Sequence, residues 1–137
     1  MAKSDAEAQP TVLVVDDEVA VRAVERRVLE QAGYIVLEAT NGAEGLERLA
    51  GNVPIDLLIA DLNMPVMGGA EMARRIRMTQ PDLRVLYVTG HIDPLMDARP
   101  LWEGEAFLEK PFSVVGLREA VSLLHKGTLG KTRVRRR

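Results

Sequence analysis

Wholly apolar runs alternate along this chain with stretches whose apolar residues recur every three or four positions. Val12-Leu13-Val14-Val15 has the β-branched, unbroken composition of a strand buried on both faces, and it stops abruptly at Asp16-Asp17-Glu18. From Glu18 to Ala32, residues Val21, Val24, Val28 and Ala32 recur at helical spacing, with Arg22, Glu25, Arg26 and Glu30 on the other side and Gly33 as a stop. Tyr34 to Ala39 is the next predicted strand. Thr40-Asn41-Gly42 then turns the chain into a helix with Ala43, Leu46, Leu49 and Ala50 on one face, ended by Gly51, Asn52 and Pro54. Ile55 to Ala60, broken only by Asp56, predicts a buried strand that delivers Asp61 where the run stops, and Met64-Pro65 with Gly68-Gly69 forces a turn after it.

The second half repeats the pattern. Ala70 to Arg77 reads as a helix with Met72, Ala73 and Ile76 inward and Arg74, Arg75 and Arg77 outward. Arg84 to Val88 is a fourth strand ending at Thr89-Gly90-His91. Ile92 to Glu103 is short and irregular, because Pro94 and Pro100 bracket only a turn or two of helix. Glu105 to Glu109 is a fifth strand ending at Lys110-Pro111, and Ser113 caps a last helix carrying Val114, Leu117, Ala120, Val121 and Leu124. Strand and helix alternating five times imply parallel pairing through right-handed crossovers: an α/β fold whose open five-stranded parallel sheet is covered by helices on both faces.

Composition narrows the function. With 137 residues, 47% hydrophobic and 28% charged, the chain makes one globular domain with a loose lead-in at 1–10. It shows neither a membrane-length apolar stretch nor the h-region of a signal peptide, so a cytoplasmic protein is expected. The absence of cysteine removes disulfides and thiolate chemistry, and His91 and His125 are too far apart for a helical metal pair, so any metal must be held by oxygen. The net charge of -2 hides an asymmetry: residues 126–137 carry six of the 18 basic residues and no acid, which leaves the body about -8.

In an open parallel sheet the carboxyl ends of the strands share one rim, where ligands bind. Four of the five predicted ends carry reactive groups: Asp16 with Asp17, Asp61, Thr89 and Lys110. Three carboxylates on one rim repel unless something positive sits among them. Lys110 supplies one charge, and Mg2+, which prefers oxygen ligands and commonly bridges carboxylates to a phosphate, would supply more. With a phosphoryl group as the missing ligand, Lys110 and Thr89 would contact its oxygens and Asp61 would be the nucleophile that takes it.

These signatures resemble the receiver domain of bacterial two-component response regulators: Asp16-Asp17 after the first strand, Asp61 with Met64-Pro65 after the third, Thr89-Gly90 after the fourth, and Lys110-Pro111-Phe112 after the fifth. The resemblance runs from Thr11 to about Lys126, marking residues 11–126 as the receiver and 127–137 as a basic tail. It implies a flavodoxin-like, doubly wound (βα)5 sheet in strand order 2-1-3-4-5. It implies Asp61 as phosphoacceptor, Asp16, Asp17, Asp61 and the Asn63 backbone carbonyl as Mg2+ ligands, and Thr89 and Lys110 as phosphoryl contacts. Phe107 becomes the aromatic switch residue that turns inward with Thr89, while Asn63 and His91 flank the attacking water and tune the lifetime. Gly68 and Ala70 depart from the family's usual Asp and larger apolar residue, which weakens the expected start of the third helix.

The implied function is a phosphorylation-controlled switch of a phosphorelay, not an enzyme in the turnover sense. Asp61 would accept a phosphoryl group from a histidine kinase or a histidine phosphotransfer protein and lose it by hydrolysis. The surface of the fourth helix, fifth strand and last helix would change between, for a downstream protein target or in a homodimer. A membrane partner is not expected, nor is nucleic acid, for which only the basic tail speaks. Three alternatives remain: a receiver cut from a hybrid histidine kinase, which the Val88-Thr89-Gly90 and Phe107-Leu108-Glu109-Lys110 wording resembles; a phosphatase with an aspartyl-phosphate intermediate, whose D-x-D pattern is interrupted by Asn63; and a flavodoxin-like cofactor binder, whose phosphate loop the Asp-Asp-Glu run does not match.

Overall fold

The computed structural model of the chain describes residues 9–90 and 104–126. The expected lead-in, His91, the Ile92 to Glu103 segment and the basic tail 127–137 lie outside these residues, apart from positions 9 and 10 of the lead-in. In chain order the elements are β1 (Thr11–Val15), α1 (Val19–Gln31), β2 (Ile35–Ala39), α2 (Gly42–Leu49) and β3 (Leu57–Asp61). After these come α3 (Gly69–Ile76), β4 (Arg84–Thr89), β5 (Glu105–Glu109) and a last described helix, α4 (Val114–His125). The five strands pair in parallel in the order β2-β1-β3-β4-β5, the expected 2-1-3-4-5.

Alternate strand residues feed two cores, as a sheet covered on both faces requires. Val12, Val14, Leu57, Ile59, Leu86, Val88 and Leu108 pack on the face of α1 and α4, and Leu13, Val15, Leu58, Ala60, Val85, Tyr87 and Phe107 on the face of α2 and α3. Caps lie where polar side chains meet helix starts: Asn41 accepts from the Glu44 N–H at 2.8 Å and Ser113 from the Gly116 N–H at 2.9 Å. Helix α3 has no such side chain, since Gly68 is its N-cap. A Cβ at residue 68 would stand 2.3 Å from the Leu62 carbonyl oxygen, so glycine there lets α3 start directly against the loop that follows Asp61.

Several helix faces differ from the expected ones. In α1 the buried residues are Glu25, Val28 and Leu29, whereas Val24 is 47% exposed. Leu29, absent from the expected apolar stripe, centres the sheet-facing face, and the residue one turn before it is Glu25. Arg77 turns inward: its guanidinium donates to Glu105 Oε2 at 2.5 Å and to the Leu83 carbonyl at 3.0 Å. On α2 the buried face runs through Gly42, Gly45 and Leu49, leaving Ala43 and Ala50 exposed. Val114 is exposed too, while Leu117, Ala120, Val121 and Leu124 are buried as expected.

Candidate functional site

Because β1 and β3 are neighbours in register, Val15 beside Ala60, the residues that follow them come out side by side on the rim. These are Asp16 and Asp61, 1% and 5% exposed. Helix α1 begins at Val19 with Glu18 as its N-cap, which brings Glu18 to the rim, and Lys110 arrives from the end of β5, on the far side of β4 from β3. The Lys110 ammonium lies 3.2 Å from Asp16 Oδ2, 2.9 Å from Glu18 Oε1 and 3.3 Å from Asp61 Oδ2. One cation thus holds together three carboxylates that would otherwise repel.

Backbone groups fix the rest. The Glu18 N–H donates to Asp16 Oδ1 at 2.9 Å, and Arg22 donates to the Asp16 carbonyl at 2.7 Å. The Asn63 N–H donates to Asp61 Oδ1 at 2.9 Å, while the Asn63 side-chain amide donates to the Thr89 hydroxyl at 3.0 Å. Asn63 therefore ties the carboxylate on β3 to the hydroxyl on β4, and leaves Asp61 Oδ2 as the oxygen facing Lys110. Lys110 follows β5 closely, its N–H donating to the Thr89 carbonyl at 2.7 Å. Phe107 is fully buried, its ring 5.3 Å from that of Tyr87.

Burial raises the pKa of the Asp16 carboxyl, and the Glu18 N–H and the Lys110 charge only partly oppose it. Burial works against the Lys110 ammonium, yet Glu18, Asp16 and Asp61 outweigh it and hold the group above its ordinary value. Asp16 Oδ2 is buried and has no hydrogen bond of good geometry even with the ammonium beside it. Asp16, Glu18 and Asp61 each offer an oxygen within 4.8 Å of the others. An unsatisfied buried carboxylate oxygen within an all-oxygen donor set fits a hard divalent cation such as Mg2+.

Of the residues singled out from sequence, the structure gathers Asp16, Asp61 and Lys110 at one point, with Thr89 joined through Asn63. Asp17 is exposed and stands outside the trio. Sequence reasoning passed over Glu18 as a helix start, although its place in the Asp-Asp-Glu run was the available signal. It also missed Arg22 and Glu25, one and two turns further along α1. Burial pushes the Glu25 carboxyl well above its ordinary value, and the negative charges of Asp16 and Asp61 add to that against Lys110 and Arg22.

The profile of the response regulator receiver domain matches residues 12–122. The chain belongs to that family. The response regulator receiver protein CpdR of Brucella abortus is 36% identical over 119 residues, covering 84% of this chain and 93% of CpdR. The sensor kinase CckA of the same organism is 38% identical over 122 residues, 86% of this chain, of which this chain spans only 13%. Among solved structures, the response regulator protein TrrA of Thermotoga maritima in complex with Mg2+ and BeF is 32% identical with a TM-score of 0.70, covering 85% of this chain and 99% of TrrA. Receiver domains are regulatory modules that interact with histidine kinases or phosphotransfer proteins. Among the described residues of this receiver no helix is long and apolar enough to cross a membrane.

Proposed function

We propose that this receiver domain accepts a phosphoryl group on Asp61 from the phosphohistidine of a sensor kinase or histidine phosphotransfer protein. The observation that carries the reading is Lys110 within 3.3 Å of Asp61, Asp16 and Glu18 together. With Oδ1 engaged by the Asn63 N–H, Oδ2 is the attacking atom: the Oδ2–P bond forms, the N–P bond of the donor breaks, and the imidazole keeps the electron pair. Lys110 then has a phosphoryl oxygen to balance in place of the bare carboxylate. Asp16, Glu18 and Asp61 would hold Mg2+, with Asp17 and the Asn63 carbonyl as further ligands, and the ion would supply positive charge to the phosphoryl oxygens. Hydrolysis by water attack at phosphorus returns the carboxylate, with Asn63 and His91 setting the rate.

Switching follows from the Asn63–Thr89 bond. A phosphoryl oxygen competes for the Thr89 hydroxyl, and Phe107 on the same sheet face responds, altering the surface beyond β4 and β5. That CckA and the 34% identical LuxN are much longer sensor kinases favours a second reading, a receiver working within a hybrid kinase, with the same chemistry. Acetyl phosphate with Mg2+ should add one phosphoryl group by intact mass, and Asp61→Asn should abolish it. Equal labelling of Asp61→Asn would overturn the assignment, and labelling indifferent to a chelator would remove Mg2+.

A further inference from the structure

A second polar constellation lies away from the rim, buried under the α3 face of the sheet. Glu105, at the start of β5, is fully buried, and its Oε2 accepts from the Tyr87 hydroxyl at 2.6 Å and from the Arg77 guanidinium at 2.5 Å. Arg77 is itself fixed by a second donation to the Leu83 carbonyl at 3.0 Å, just beyond α3. Strand alternation puts Thr89, Tyr87, Phe107 and Glu105 on one face, and the register sets Tyr87 directly beside Phe107. The two rings lie 5.3 Å apart with their planes at 33°.

We propose that Tyr87, tethered through its hydroxyl to the buried Glu105–Arg77 pair, is a positioning residue that holds Phe107 inward and so sets the bias of the switch before Asp61 is modified. The inference rests on Phe107 being the moving residue. Were Phe107 to turn outward, it would leave a void beside Tyr87 in a close-packed core, and a void costs least where neighbours can collapse into it. Tyr87 cannot collapse, because its hydroxyl is pinned to a carboxylate that is pinned in turn to the end of α3. The tether therefore places the full cost of the void on the outward state. Tyr87→Phe keeps the ring and removes only the pin.

The chain has two phenylalanines, Phe107 and Phe112, so 4-fluorophenylalanine labelling of the full chain gives two fluorine resonances. Phe112 serves as the internal reference, assigned with Phe112→Leu. Without any phosphoryl mimic, the Phe107 resonance of the parent should resist broadening by a soluble gadolinium chelate. In Tyr87→Phe the outward share should rise roughly fivefold, the equivalent of one net hydrogen bond, and beryllofluoride with Mg2+ should restore protection. Arg77→Lys, which keeps the charge and loses the fork, should shift Phe107 in the same direction by less. The proposal is overturned if Phe107 stays as protected in Tyr87→Phe as in the parent, or if both variants fail to fold, which would make the triad core cement alone. Failure of the underlying reading shows separately, as a Tyr87→Phe protein whose Phe107 is more exposed than the parent's but stays so when beryllofluoride and Mg2+ are added.

Discussion

Glu105 and Glu25 are carboxylates on opposite faces of one sheet, 0% and 1% exposed. Glu105 Oε2 takes donors from both Arg77 and Tyr87, whereas neither oxygen of Glu25 has a hydrogen-bond partner. Burial is the same, so partners make the difference. A buried carboxylate with a guanidinium and a hydroxyl is affordable only as a set, while one without partners is driven toward its neutral form. Glu105 therefore belongs to the architecture, and Glu25, in the field of Asp16, Asp61 and Lys110, belongs electrically to the rim.

The largest effect should come from breaking the satisfied set. Arg77→Ala takes the guanidinium away from the buried Glu105 carboxylate, and the loss of one partner of a buried pair costs about 3–5 kcal/mol. Urea unfolding should show that loss with little change in slope. A cost below about 1 kcal/mol, the range of exposed pairs, would mean that the Arg77–Glu105 contact does not persist in solution.

Glu25→Leu should act in the opposite direction. Replacing an unpartnered buried carboxyl by an aliphatic side chain beside Val28 and Leu29 should stabilise the domain by about 1–3 kcal/mol at neutral pH. The pH dependence carries a sign. With its folded value well above the ordinary 4.5, Glu25 keeps a proton in the folded state that the unfolded chain releases. Its contribution to stability is fully present below the unfolded value and is lost as pH rises toward the folded one. The gap between Glu25→Leu and the parent should therefore be smaller at about pH 4 than at about pH 7.5. A gap independent of pH would mean that Glu25 is ionised in the fold and has found a partner.

The same contrast explains what could be read from the sequence. Strands and their rim were legible because a buried strand is an unbroken apolar run and a polar residue at its end stands out, as Asp16 and Asp61 do. Glu105 was legible as a strand start but not as buried, because nothing in Glu-Ala-Phe-Leu-Glu says that Arg77 will arrive from α3. Arg77 was read as outward on periodicity alone, yet a long side chain at a helix end can fold back under the sheet. Glu25 was misassigned because the stripe was anchored on Val24 instead of Leu29. The sequence pattern thus locates buried strands well and helix faces less well, whereas the partner of a buried charge comes from another element and is not encoded locally.

The smallest effect on stability should come from a carboxylate that is paired but not buried. The Glu18 side chain is 60% exposed and sits 2.9 Å from the Lys110 ammonium, a contact open to water and salt. Glu18→Gln should shift the unfolding free energy by no more than about 0.5 kcal/mol, because solvent screens such a pair and Asp16 and Asp61 still face Lys110. Its effect on Mg2+ should be larger, since Glu18, Asp16 and Asp61 are the three whose oxygens converge within 4.8 Å. The informative comparison is with Asp17→Asn, because the resemblance to other receivers assigns Asp17 to the metal while the geometry brings Glu18 to it. Titrating Mg2+ into both variants in the same buffer decides between them. If Glu18 is the ligand, affinity falls several-fold in Glu18→Gln and stays near the parent in Asp17→Asn; the reverse order would show that Asp17 swings in to bind and that Glu18 serves only to anchor Lys110.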